Sequence, residues 1–73
     1  MTVMTATETE AFSPNLFIDA LRDAEYTPKE LAEEMGCSVT AIARWMAGIA
    51  VPKPGYATQA ARILGVEVDD FYE

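Results

Sequence analysis

Apolar side chains recur at helical spacing in several stretches of the chain, and turn-forming residues separate these stretches. In the first stretch, Ser13-Pro14 is typical of a helix start, because serine caps the first turn and proline fits its first position. The residues that follow predict a helix over residues 14–24. Its apolar face consists of Phe17, Ala20, Leu21 and Ala24.

The second and third stretches are short and stand on either side of a tight turn. Thr27-Pro28-Lys29-Glu30 is a capping box, in which the threonine accepts a backbone N–H and the glutamate reaches back. The helix that starts there ends at Gly36, because glycine tolerates the left-handed conformation that a tight stop requires. Ser38 then caps a third helix over residues 39–47. The two apolar faces consist of Leu31, Ala32 and Met35, and of Ile42, Trp45 and Met46.

The remaining pattern predicts a fourth helix over residues 56–64 and a short fifth helix that begins with Val66, Val68 and Phe71. No stretch alternates as a strand would. Residues 1–12 are rich in Thr, Ala and Glu without apolar periodicity, which predicts a flexible tail before one domain over residues 13–73. The predicted fold is all-α, a compact bundle of about five short helices. The fourth helix has a buried face of mostly small residues, Ala57, Ala60, Ala61 and Leu64.

Composition places the chain among ordinary folded domains. The 73 residues are 51% hydrophobic and 23% charged, with no apolar run long enough to span a membrane. The first residues lack the basic start and apolar stretch of a signal peptide. The single cysteine, Cys37, cannot form an internal disulfide and is expected to be a small core residue. We therefore expect a cytoplasmic protein.

Missing residue types argue against catalysis. The chain has no histidine, so the commonest general base and metal ligand at neutral pH is absent. Cys37 has no histidine partner, and one cysteine is too few for a zinc site. The four glycines stand apart and form no phosphate-binding loop. We expect no enzymatic activity, no metal, no cofactor and no small-molecule ligand.

Two short helices joined by a three-residue turn are the helix-turn-helix arrangement. Ile42 and Trp45, three residues apart, anchor the third helix to the core. Its opposite side faces solvent, and a helix exposed in this way fits the DNA major groove. The residues predicted on that side are Ser38, Val39, Thr40, Ala43 and Arg44.

The sequence resembles the XRE (Cro/repressor-like) family over about residues 16–71. The resemblance implies a lambda-repressor-like domain of five helices that binds operator DNA, usually as a homodimer, in a bacterium or a phage. The residues that carry it are those from Thr27 to Ser38, then Ile42, Gly48 and Pro52, then Ile63-Leu64-Gly65-Val66.

The resemblance also implies roles for individual residues. Arg44 is the strongest candidate for reading a base, since its guanidinium can bond two acceptors on guanine. Thr27 and Lys29 match positions that touch the phosphate backbone, aided by the helix N-terminus. Lys53, the basic residue after the third helix, completes the predicted DNA-binding set. The family's base-reading and adjacent phosphate positions match Ser38, Val39, Thr40 and Arg44.

The chain departs from the family pattern around this surface. The loop after the third helix, often polar or basic in the family, reads Ile49-Ala50-Val51. Met46 stands where a glutamate is common, and Pro28 where a phosphate-binding glutamine is frequent. Three apolar loop residues should not be fully exposed, so we expect the loop to fold onto the core, with a homodimer contact as the alternative.

The net charge of −7 has the wrong sign for a simple DNA-binding protein. The distribution of charge along the chain makes this total less decisive against DNA binding. Residues 1–25 carry −4 and residues 54–73 carry −3, whereas residues 26–53, which hold the helix-turn-helix, are neutral. We therefore expect few phosphate contacts and a shallow dependence of binding on salt.

Three functions remain open. The first is a transcriptional regulator of Cro/repressor type that acts by occupying a promoter. The second is an acidic protein-interaction module, for example an antirepressor or an antitoxin-like domain. The third is an excisionase or MerR-like DNA-binding protein, since residues 26–32 and Arg44-Trp45 are also similar to that group. Those domains usually continue into a β-wing, whereas a helix is predicted here.

Overall fold

The computed structural model describes residues 11–73. In that range it contains an isolated bridge between Phe12 and Tyr72 but no strand, and no helix long and apolar enough to cross a membrane. The predicted all-α bundle is confirmed. The elements are α1 (Pro14–Asp23), α2 (Pro28–Met35), α3 (Val39–Ala47), α4 (Pro54–Leu64) and a 3-10 helix (Val68–Phe71).

Side-chain caps fix the starts of the first three helices. The Ser13 hydroxyl accepts the N–H of the third residue after it at 3.2 Å, and the Ser38 hydroxyl does the same at 3.1 Å. At α2 the Thr27 hydroxyl accepts the Glu30 N–H at 3.1 Å, while the Glu30 carboxylate accepts the Thr27 N–H at 3.0 Å. Each cap satisfies an amide that the helix cannot pair, so the predicted starts are confirmed.

The core is built around a group of aromatic rings. Phe17 is fully buried, and its ring centroid lies 5.3 Å from that of Phe71 and 6.0 Å from that of Trp45. The predicted apolar faces of α2 and α4 are all buried, as are Ile42 and Trp45 of α3. Cys37 is half-buried against this core, and burial raises the pKa of its thiol.

The two ends of the described chain lie side by side. Ala11 and Glu73 exchange two backbone hydrogen bonds of 3.2 and 3.1 Å, and the Phe12 ring packs edge-on against that of Tyr72. Of the predicted tail over residues 1–12, residues 1–10 lie outside the described residues. Its last two residues belong to the packed domain.

The turn between α1 and α2 contains a left-handed residue that is not glycine. Glu25 has a φ of 59°, its N–H donates to the Arg22 carbonyl, and the Tyr26 N–H donates to the Leu21 carbonyl, both at 3.0 Å. A side chain in this conformation crowds the neighbouring carbonyl, a cost that glycine avoids.

Replacing Glu25 with glycine should therefore stabilise the domain by about 1 kcal/mol, seen as a thermal midpoint several degrees higher by circular dichroism. Glu25→Ala is the matched control, because it removes the same charge and keeps Cβ. Equal midpoints for the two variants would show that charge, and not backbone strain, sets the difference.

Candidate nucleic-acid interface

The outer face of α3 is exposed along the whole helix. Ile42 and Trp45 turn inward, with the half-buried Ala41 and Met46 beside them, so the remaining residues of the helix turn to solvent. Ala47 extends this face by one turn beyond Ala43. The predicted DNA-binding set does not include Ala47, although its spacing of four residues from Ala43 places it on the same side of the helix. Every residue predicted to bind DNA is exposed, namely Thr27, Lys29, Ser38, Val39, Thr40, Ala43, Arg44 and Lys53.

Hydrogen-bonding groups on α3 lie at its start and in its second half. Ser38 uses its oxygen as the helix cap, which leaves its O–H free to donate. Thr40 and Arg44 follow one turn apart on the same side. Within residues 11–73, Arg44 makes no ion pair and the salt bridge present joins Arg22 to Asp19 at 3.4 Å. The Arg44 guanidinium therefore offers its donors to a ligand.

The start of α2 has fewer free backbone N–H groups than a helix N-terminus usually has. The Thr27 N–H is taken by the Glu30 carboxylate, and Pro28 has no N–H. Lys29 carries the first amide of α2 that has no acceptor among the described residues. Thr27 contributes its O–H and Lys29 its amide and ammonium to any phosphate bound there.

The turn between α2 and α3 is held from two sides. The N–H groups of Gly36 and Cys37 both donate to the Ala32 carbonyl, at 2.9 and 3.1 Å, with Gly36 at a φ of 74°. From α4, the Gln59 side-chain amide donates to the Met35 carbonyl at 3.3 Å. Gln59 thus positions the end of α2 and indirectly α3. Sequence reasoning missed this residue, because nothing local indicates a partner 24 positions away.

The loop after α3 differs from expectation. Ile49 is 77% exposed and Val51 is 64% exposed, so the prediction that the loop folds onto the core is wrong for both. Ala50 is half-buried and Pro52 is buried, so covered and exposed side chains alternate along this segment. Lys53 continues the outward row.

An open acidic groove of about 280 Å³ runs between the α1–α2 turn and α2. Its walls are Glu25, Tyr26, Glu30, Glu33 and Glu34. The Tyr26 hydroxyl donates to the Glu34 carboxylate at 2.7 Å, and this bond raises the pKa of Tyr26. No cluster of residues suited to holding a metal ion occurs in residues 11–73. Because four of these five lining residues are carboxylates, the groove is unsuited to binding a phosphate group.

A bundle in which a tight turn joins α2 to an outward-facing α3 defines a helix-turn-helix DNA-binding protein. The helix-turn-helix family model HTH_3 matches residues 18–71. The chain belongs to this XRE-type family, as its resemblance to XRE proteins indicated. Domains of this family bind DNA, regulate transcription and are not normally enzymes. No curated protein and no solved structure matches the chain.

Proposed function

We propose that this protein is a transcriptional regulator of Cro/repressor type, which binds a specific operator and acts by occupying it. The observation that carries the proposal is the outer face of α3, exposed from end to end while Ile42 and Trp45 fix its inner face. A rigid helix presented in this way fits the major groove, with its N-terminal part nearest the base edges.

Within this proposal the exposed residues divide into two groups. Ser38, Val39, Thr40, Ala43 and Arg44 face base edges and the nearest phosphates. Thr27, Lys29 and Lys53 hold the phosphate backbone on either side of α3. Such contacts from two separate elements fix the orientation of the reading helix, while the base contacts supply the sequence preference.

Two copies bind each operator in this proposal. With nine residues, α3 is roughly 13 Å long, which is a little over a third of one turn of DNA. One copy therefore reads only a few base pairs. A homodimer doubles the site, and Ile49 and Val51 are exposed apolar side chains that a second copy could cover.

Selection of bound sequences from a random DNA pool, followed by footprinting and light scattering, tests the proposal. We expect one enriched motif, protected as two half-sites about 34–36 Å apart, and a complex with two copies. Binding without enrichment of any sequence would contradict it. The acidic groove would then favour the protein-interaction alternative.

The excisionase or MerR-like alternative has less support. Those proteins usually continue from the helix-turn-helix into a β-wing, whereas α4 follows α3 here and the described residues contain no strand after it.

Operator binding should depend weakly on salt. The segment 26–53 contains three cations, Lys29, Arg44 and Lys53. Because Arg44 is assigned to a base and the two lysines to phosphates, log K should fall with log salt at a slope of about −1.8 per bound copy. Gel-shift titrations between low and physiological salt measure this slope. A slope of about −6 or steeper per copy would require phosphate contacts from residues outside the predicted set.

A further inference from the structure

The outer face of α3 contains few groups that can form hydrogen bonds with base edges. Val39, the first residue of the helix, is 47% exposed, and Ala43 follows one turn later on the same side. Of the large exposed hydrophobic residues Val39, Ile49, Val51 and Tyr56, Val39 is the one within α3. Val39 therefore places an apolar side chain between the hydroxyls of Ser38 and Thr40, in the part of the helix that lies nearest the bases in a helix-turn-helix complex.

Apolar side chains can read only one feature of the major groove. Guanine and adenine present hydrogen-bond acceptors and donors there, and cytosine presents a donor, whereas thymine adds a C5-methyl group. Valine is stiff at χ1, so it loses little freedom when a methyl group packs against it. A polar base edge against Val39 would lose its water without gaining a partner, which disfavours that base.

Resting on the proposed function, we propose that Val39 is a specificity-determining residue that reads a pyrimidine C5-methyl group, with Ala43 completing the contact surface. The preferred operator therefore carries a thymine in each half-site opposite Val39. Arg44 reads a guanine farther along, since a separation of five positions places the two side chains about 7.5 Å apart along the helix axis.

The test uses the operator obtained by selection and replaces its thymines one at a time with deoxyuridine, which lacks the methyl group. At one position in each half-site, wild-type affinity should fall about fourfold, the factor expected for one buried methyl group. Val39→Ala should bind the thymine and uracil operators equally well. Val39 is exposed, and alanine favours a helix more than valine does, so the variant folds.

Thr58→Ala is the matched control, because it truncates an exposed β-branched side chain of similar shape on α4, outside the proposed DNA-binding and dimer surfaces. It should keep the full effect of uracil. If the operator binds specifically and no uracil weakens it, or if the uracil effect persists in Val39→Ala, the role of Val39 is overturned while the proposed function stands. If selection enriches no sequence, both fail together.

Discussion

Replacing Phe17 with alanine should leave most of the domain unfolded at room temperature. Phe17 is fully buried, and its ring contacts those of Phe12, Trp45 and Phe71, so it links α1 and α3 to both ends of the described chain. Truncating a buried phenylalanine costs about 3–5 kcal/mol. A core in a chain of this size rarely supplies more than about 3–5 kcal/mol in total.

Urea titration followed by far-ultraviolet circular dichroism measures this loss. Asn15→Ala is the control, because Asn15 lies exposed on the same helix and its truncation should change stability by less than about 0.5 kcal/mol. Similar urea midpoints for the two variants would show that the aromatic group does not determine stability.

Arg44→Ala should weaken operator binding about 10- to 100-fold, because each bidentate contact to a base contributes about 1–3 kcal/mol of discrimination. The fold should be unchanged, since the side chain is exposed and makes no ion pair within residues 11–73. Competition gel shifts with operator and random DNA measure both affinity and specificity. We expect specificity to fall together with affinity.

Arg62→Ala provides the comparison, because it removes the same charge from an exposed position on α4. It should weaken binding to operator and random DNA slightly and equally. If the two variants lost the same affinity, Arg44 would contribute only general charge, and α3 would not be the reading helix.

The elements that local chemistry determines were predicted well. The bounds of α2 and α3 follow from a capping box, a cap serine and two glycines, all within a few residues of the helix ends. The start of α4 was predicted two residues late, at Tyr56 instead of Pro54, because no side chain caps it. The last element is a 3-10 helix, Val68–Phe71, which is too short for periodicity to define its type.

The candidate site was predictable where it depends on helical spacing. Two inward residues, Ile42 and Trp45, determine which side of α3 is exposed. The hydrogen bond from Gln59 to Met35 was beyond prediction, because it depends on how α4 crosses the end of α2. The outward direction of Ile49 was likewise beyond prediction, because it depends on the path of the backbone after α3. An apolar side chain by itself gives no reason to expect exposure.

The pairing of Ala11 with Glu73 has a consequence for how this domain can be joined to others. Bonded residues on adjacent antiparallel strands have Cα atoms only about 5.5 Å apart. The whole unit could therefore be inserted into a surface loop of a host protein without forcing the host backbone open. The same closeness makes a circular permutant feasible, with residues 11 and 73 joined by a short glycine linker.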